Sequence, residues 1–332
     1  MNITASQVNE LRQMTGAGMM DCKKALVETE GNVEQAIDLL RKKGMAKAAK
    51  RADRQASEGA VLSKAAADNK YAAILMLNCE TDFVAQNADF VKFTQTLLDF
   101  AVEHRIKTID ELKAAKLNDM TVEEAVVNQS SVTGEKTELG AFNVLEGEYV
   151  TFYNHPGNRL STIIAMNKSF DKVEEVSHEV ALQVAAMSPL AVDESSISQE
   201  VKDREYAVAV EKTKQDQIQK AVEVALKKAG INPSHVDSDD HIESNMAKGW
   251  ITQEDADKAR QIKESVAAEK AANIPEQMLQ NIANGRMAKF FKENCLLDQI
   301  SLIADPQTVR QYIQAADKEA TVTAFVRIKL GE

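Results

Sequence analysis

The sequence predicts an α+β fold that is mostly helical, on three observations. Only 5 Pro and 13 Gly punctuate 332 residues, while the good helix formers Ala, Glu, Lys, Gln and Leu are plentiful. Apolar residues recur every three or four positions over most of the chain. Two stretches instead read as β-hairpins, each followed by a helical pattern. The length exceeds one ordinary core, and 44% hydrophobic with 27% charged residues excludes disorder and collagen, so several folded domains are expected.

Residues 1–54 read as three short helices followed by a basic linker. Val8 and Leu11 mark the inner side of the first helix, Met19, Cys22, Ala25 and Leu26 that of the second, and Val33, Ile37 and Leu40 that of the third. Thr15-Gly16-Ala17-Gly18 and Gly31-Asn32 separate them, with Asn32 a candidate N-cap. So thin a core suits a docking module better than an enzyme. From Arg41 to Arg54 seven basic residues face one acidic residue, a candidate contact for an acidic partner or RNA or, alternatively, a solvated linker.

Residues 55–140 form the first core subdomain expected from the pattern. Ala60-Val61-Leu62 and Tyr71 to Leu77 flank the turn Ala67-Asp68-Asn69-Lys70, and the unbroken second arm predicts a strand buried on both faces. A helix bearing Phe90, Phe93, Leu97 and Ala101 follows, with Asn87 placed to cap it. The same order returns in residues 141–197. Strand Glu148 to Tyr153, turn His155-Pro156-Gly157-Asn158 and strand Leu160 to Met166 precede a helix with Val173, Val176, Val180 and Val184.

Residues 198–272 predict an inserted, projecting arm of two antiparallel helices. One apolar stripe runs through Val201, Val208, Ile218, Val222 and Ala225, and another through Ala259, Ile262 and Val266. Gly230-Ile231-Asn232-Pro233 and Asp237 to Asp240 break the chain between them, and Thr252 to Asp255 restarts it as a capping box. Residues 273–332 are expected to return to the second core subdomain through a helix around Met278, Leu279, Ile282 and Met287. They end in a strand from Thr321 to Leu330.

The net charge of −11 opposes broad binding to nucleic acid, and no direct nucleic-acid partner is expected. That sum conceals asymmetry, because residues 1–54 hold ten basic against seven acidic side chains. The longest apolar run, Tyr71 to Leu77, is far short of the roughly 20 residues of a membrane span, so no membrane segment is expected. The N-terminus from Met1 lacks the pattern of a secretory signal, and Cys22, Cys79 and Cys295 are few and far apart; together these predict a cytoplasmic protein with reduced thiols.

Catalytic patterns are missing. No phosphate-cradling glycine motif follows any strand, and no cofactor or bound nucleotide is expected. His235 and His241 lie near Asp237, Asp239 and Asp240, a cluster open to a metal or to a solvated turn, with no metal expected. Cys79 stands beside Glu80 and Asp82, whose charges would raise its pKa and favour a structural thiol over a nucleophile. Phe83 beside Asp82, just before Asn87, has two readings. It could enter a partner's apolar pocket, or it could close the core beneath Phe90 and Phe93. Met19 and Met20 are adjacent on a helix and cannot both face inward, so one is expected on the surface.

Residues Ile3 to Leu40, above all Thr15-Gly16-Ala17-Gly18-Met19-Met20-Asp21-Cys22-Lys23-Lys24-Ala25-Leu26, closely resemble the N-terminal module of bacterial elongation factor Ts. Asn78-Cys79-Glu80-Thr81-Asp82-Phe83-Val84-Ala85 is a second hallmark, and Tyr153 to Arg159 a third, weaker match. The resemblance spans nearly the whole chain. It implies a ubiquitin-associated-like three-helix module, two core subdomains, and a helical arm for dimerisation or coiled-coil contact. It further implies an exchange factor for the GTPase elongation factor Tu and no enzyme activity of its own. Carried over, Thr81, Asp82, Phe83 and Val84 would form a wedge that enters the GTPase and disturbs its Mg²⁺ and phosphate site. Arg12, Met19, Met20, Lys23, His155 and Arg159 would be partner-binding. The arm is longer than in shorter family members, and the chain stops at Gly331-Glu332, so contacts from a further C-terminal module are expected to be absent. The competing reading is an adaptor whose three-helix module binds helical partners and whose arm self-associates.

Overall fold

The computed structural model describes residues 3–332, so the first two residues of the start read for a secretory signal lie outside it. The protein is mostly helical α+β, in two units: residues 3–192 with 299–332, and residues 193–298.

The first unit opens with α1 (Ala5–Thr15), α2 (Met19–Glu28) and α3 (Val33–Ala49). Thr4 and Gln7 form a capping box on α1, Gly16 ends it with φ 66°, and Asn32 accepts the Gln35 amide to start α3. Val8, Leu11, Cys22, Ala25, Leu26, Ala36 and Leu40 make the small core. Met19 and Val33, expected inside, are exposed, because each is the first residue of its helix and overhangs the packed neighbours. The basic segment is no free linker for most of its length. It continues α3, and Lys43 and Lys47 pair with Glu28 and Asp21 at 2.7 and 2.9 Å.

Next come β1 (Glu58–Ala65), β2 (Tyr71–Cys79), α4 (Asp82–Ala85), α5 (Ala88–Glu103) and α6 (Ile109–Ala114). The short strands β3 (Lys116–Leu117) and β4 (Met120–Thr121) lead into α7 (Val122–Thr133) and β5 (Glu138–Glu146). Helix α7 packs on α3, where a Cβ at Gly44 would stand 2.8 Å from the Ser131 hydroxyl, and Arg51 donates to the Ser130 carbonyl at 2.7 Å.

Strand β2 is central in an antiparallel sheet ordered β1-β2-β5 and is buried on both faces. Its side chains alternate. Tyr71, Ala73, Leu75 and Leu77 meet Phe90, Leu97, Leu98 and Ala101 of α5. Ala72 and Ile74 face a second antiparallel sheet, β6 (Tyr149–Asn154), β7 (Leu160–Met166) and β8 (Val322–Lys329), at Val150, Ile163, Ala165 and Leu330. Helix α8 (Val173–Met187) covers that sheet's other face, where Thr162 donates to the Ala181 carbonyl. The order of layers is therefore helix, sheet, sheet, helix, with α13 (Val309–Ala316) against α8.

A polar seam ties the sheets along β1. The Val61 amide donates to the Asn158 carbonyl at 2.7 Å, and the Ser63 amide and hydroxyl donate to Asn154 Oδ1 at 2.7 and 2.8 Å. The turn after β6 is thereby fastened beside the start of the first hairpin.

The second unit is built on α9 (Gln199–Lys228), whose 30 residues extend roughly 45 Å. A reversal containing α10 (Asp239–Ala247) leads to α11 (Gln253–Ala272), then to α12 (Glu276–Asn294). Both later helices pack on α9. Residues from 273 were expected back in the body, but α12 stays with the second unit, pairing Arg286 with Asp216 of α9 and bringing Phe291 to 5.9 Å from Lys202 Nζ. The arm is thus one long helix backed by two in succession. Its inward side carries Ala209 and Thr213, while Val208 is exposed, because small residues permit the closer approach. At the reversal Leu226, Ile231, Val236, Ile242 and Ile251 close a small core, and Thr252 and Asp255 form the capping box. His241 pairs with Asp237, and no group able to hold a metal ion occurs among the described residues. No described helix is long and apolar enough to cross a membrane.

Candidate functional site

Strand β2 delivers the Thr81 to Val84 segment at its C-terminal end. The Thr81 hydroxyl accepts the Val84 amide at 3.4 Å and so caps α4, a helix of only four residues. Ala85 is buried and Val84 half-buried against the core of β2 and α5, whereas Phe83 is 84% exposed and Asp82 is exposed. The core-closing reading of Phe83 is thereby excluded. Burying such a ring is worth roughly 1.5–3 kcal/mol, which this chain forgoes.

Contacts from distant residues hold the turn. Glu135, just after the Gly134 cap of α7, accepts the Glu80 and Thr81 amides through Oε2 at 3.1 and 3.0 Å and the Thr81 hydroxyl through Oε1 at 2.7 Å. In return Glu80 accepts the Lys136 amide at 2.6 Å and pairs with Arg54 at 3.2 Å. The Lys136 amide, then Arg54, hold the Glu80 carboxyl below its ordinary range. Neither Glu135 nor Lys136 carries a signal in the sequence, since both lie more than 50 residues from the turn they bind.

Cys79 donates to the Thr81 carbonyl at 3.2 Å. Burial, then the Glu135 charge, push its thiol up to about 12. The neighbour responsible is Glu135, not the adjacent acids that the sequence suggested. Burial likewise pushes the Cys295 thiol up to about 11. All three cysteines are buried. A thiol reagent at pH 8 should therefore label the native protein slowly and all three sites rapidly after denaturation; one stoichiometric fast thiol in the native protein would contradict this. Because the fold keeps Cys79 protonated above its free value near 8.5, stability from this group is complete below that value and falls as pH climbs toward about 12.

The turn after β6 lies near the Thr81 to Val84 segment, joined to β1 opposite the end of β2. Arg159 pairs with Glu58 of β1 at 2.5 Å, and its pKa is raised first by that bond and in smaller part by the nearby Asp82 charge. His155 is exposed, its Nδ1 2.9 Å from the Tyr153 hydroxyl, and the Tyr153 ring meets His178 edge-on at 6.0 Å. The structure thus ties Arg159 to β1, the strand that pairs with the end of β2, through Glu58. Arg12, Met19, Met20 and Lys23 are grouped separately on the three-helix module, where all four are exposed. Both methionines face solvent, at 57% and 62%, so more apolar surface is offered than the single outward methionine expected. Met14 and Val27, which the periodicity did not single out, are also exposed on this module.

The family model described as Elongation factor TS matches residues 80–228 and 206–332. Curated proteins named Elongation factor Ts from Bacteroides fragilis and Phocaeicola vulgatus are 56% and 54% identical to this chain over 331 residues, covering 99% of each chain. One of the same name from Porphyromonas gingivalis is 36% identical over 332 residues, 100% of this chain and 99% of its own. These spans take in both units, so the long arm lies within the similarity.

Proposed function

The chain belongs to the elongation factor Ts family, and from that premise we propose that it is a guanine-nucleotide exchange factor for elongation factor Tu in translation elongation. It acts by binding and catalyses no covalent step. The observation that carries the reading is Phe83, a large apolar side chain held 84% exposed on a braced turn beside an exposed carboxylate. An aromatic in that setting supplies a binding anchor. Phe83 enters an apolar gap in the GTPase while Asp82 displaces groups around its Mg²⁺ and GDP phosphates. The exposed methionines of the three-helix module, flanked by Arg12 and Lys23, form the first docking face. The His155 to Arg159 turn forms another.

Exchange follows from linkage. If the factor binds nucleotide-free GTPase more tightly than the GDP form, it lowers GDP affinity by the same factor. GTP then refills the site and releases the factor. Adding the protein to elongation factor Tu loaded with fluorescent GDP should accelerate nucleotide release in proportion to its concentration, up to a plateau. An unaltered rate would overturn exchange and favour the adaptor reading. The complex is expected as a heterodimer, doubled through the second unit; light scattering that finds only 1:1 species would remove the doubling.

A further inference from the structure

Helix α4 is too short to orient itself, because a single turn does not repay the entropy of its nucleation. Its direction must come from contacts outside it. Val84 and Ala85 seat one side on the core, while Glu80 and Thr81, between the buried Cys79 at the end of β2 and the exposed pair, are held by polar bonds. Three of these converge on one carboxylate, that of Glu135.

We propose that Glu135 is the positioning residue of the exchange turn, a role that rests on the function proposed above. Its carboxylate bonds go to Glu80 and Thr81, so it acts on Asp82 and Phe83 through Thr81. With the Thr81 hydroxyl donating its proton to Glu135 Oε1, the lone pairs of the Thr81 oxygen are left for the Val84 amide, the bond that caps the start of α4. The two backbone bonds to Oε2 fix the peptides just before Asp82. Three hydrogen bonds from two successive residues onto one side chain leave the turn little freedom.

Glu135 is in turn held from both sides. Gly134 turns the chain at φ 81° after α7, and the Glu135 amide donates to the Thr133 hydroxyl at 3.3 Å. Glu80 returns the grip by taking the Lys136 amide, so each segment's carboxylate binds the other's backbone. Arg54 adds a charge from the end of the docking module. Since α7 also packs on α3, the Thr81 to Val84 turn is linked through α7 to the three-helix module that carries Met19 and Met20.

The test compares Glu135→Ala with Glu135→Gln. Glutamine keeps an oxygen for the two amides and an amide group for the Thr81 hydroxyl, so it should rescue the geometry. In the free protein, exchange of the Glu80 and Thr81 amide hydrogens should quicken at least about tenfold in Glu135→Ala and change little in Glu135→Gln. With elongation factor Tu, Glu135→Ala should lower the maximal GDP-release rate about tenfold at a nearly unchanged half-saturating concentration, while Glu135→Gln stays near the parent. Glu135→Asp, which keeps the charge but pulls it back by one methylene, should fall between them and serves if the alanine variant does not fold. Unchanged amide protection overturns the proposal. So does a parent-like release rate in Glu135→Ala when Asp82→Ala with Phe83→Ala is slow. If that double variant also releases GDP at the parent rate, the wedge reading itself has failed, and the two failures are told apart.

Discussion

Asp82→Ala combined with Phe83→Ala should slow factor-stimulated release of GDP from elongation factor Tu by roughly thirty- to a hundredfold. The size follows from the anchor's chemistry. A fully buried aromatic contributes about 2–3 kcal/mol to a contact, and hot-spot side chains reach that range on truncation. The fold should be untouched. Phe83 is exposed and takes no part in the core, and α4 is seated by Val84 and Ala85. Asp82 contributes at most a first-turn charge at the α4 N-terminus, worth about 0.3–1 kcal/mol. The variant should therefore keep the parent's thermal midpoint within a few degrees and still bind through the three-helix module. Release at the parent rate would remove the wedge from the mechanism. A large fall in thermal midpoint would instead make Phe83 a structural residue.

Ile74→Ala should cost about 2–5 kcal/mol of stability in the first unit. Ile74 is fully buried in the middle of β2 and points at the second sheet, among Val150, Ile163, Ala165 and Leu330. Truncation leaves a cavity between two sheets that are each pinned by their own hydrogen-bond ladder, so neither can collapse into it. Guanidinium unfolding followed by tyrosine near-ultraviolet dichroism reads this change chiefly from the first unit, which holds Tyr71, Tyr149, Tyr153 and Tyr312. A loss below about 1 kcal/mol would mean that the sheets meet loosely. The function should follow the fold here, because this interface sets the end of β2 beside the turn carrying Arg159.

Where the sequence pattern was legible, the reason was local. Asn32 and Asn87 precede helices because their side chains reach amides two or three residues on, and Thr252 with Asp255 closes a box within one turn. The double burial of β2 is written in its unbroken apolar run. β5 escaped because its residues are mostly half-buried or exposed, with Gly140 pressed against Asn78, and no run or alternation marks it. The stripe through Val201, Ile218, Val222 and Ala225 is partly buried, with Val222 against the core at the reversal, but Val208 is exposed, and the buried Ala209 and Thr213 went unmarked because they are too small to dominate a hydrophobic period. Membership of α12 in the second unit depends on pairs such as Arg286 with Asp216, 70 residues apart.

The amino-acid sequence by itself determined the three N-terminal helices, the helix after each hairpin and the long arm helices, the caps at Asn32, Asn87 and Thr252, the buried central strand, the family, and the Thr81 to Val84 motif. Only the tertiary structure decided that Phe83 faces solvent, that both Met19 and Met20 do, and that Glu135 braces the turn. The physical reason is range. Periodicity and capping report interactions within a few residues, where chain geometry dictates the neighbours. Whether an apolar side chain at a turn is covered, and which carboxylate finds a free amide 54 residues away, depends on how packed layers bring remote segments together.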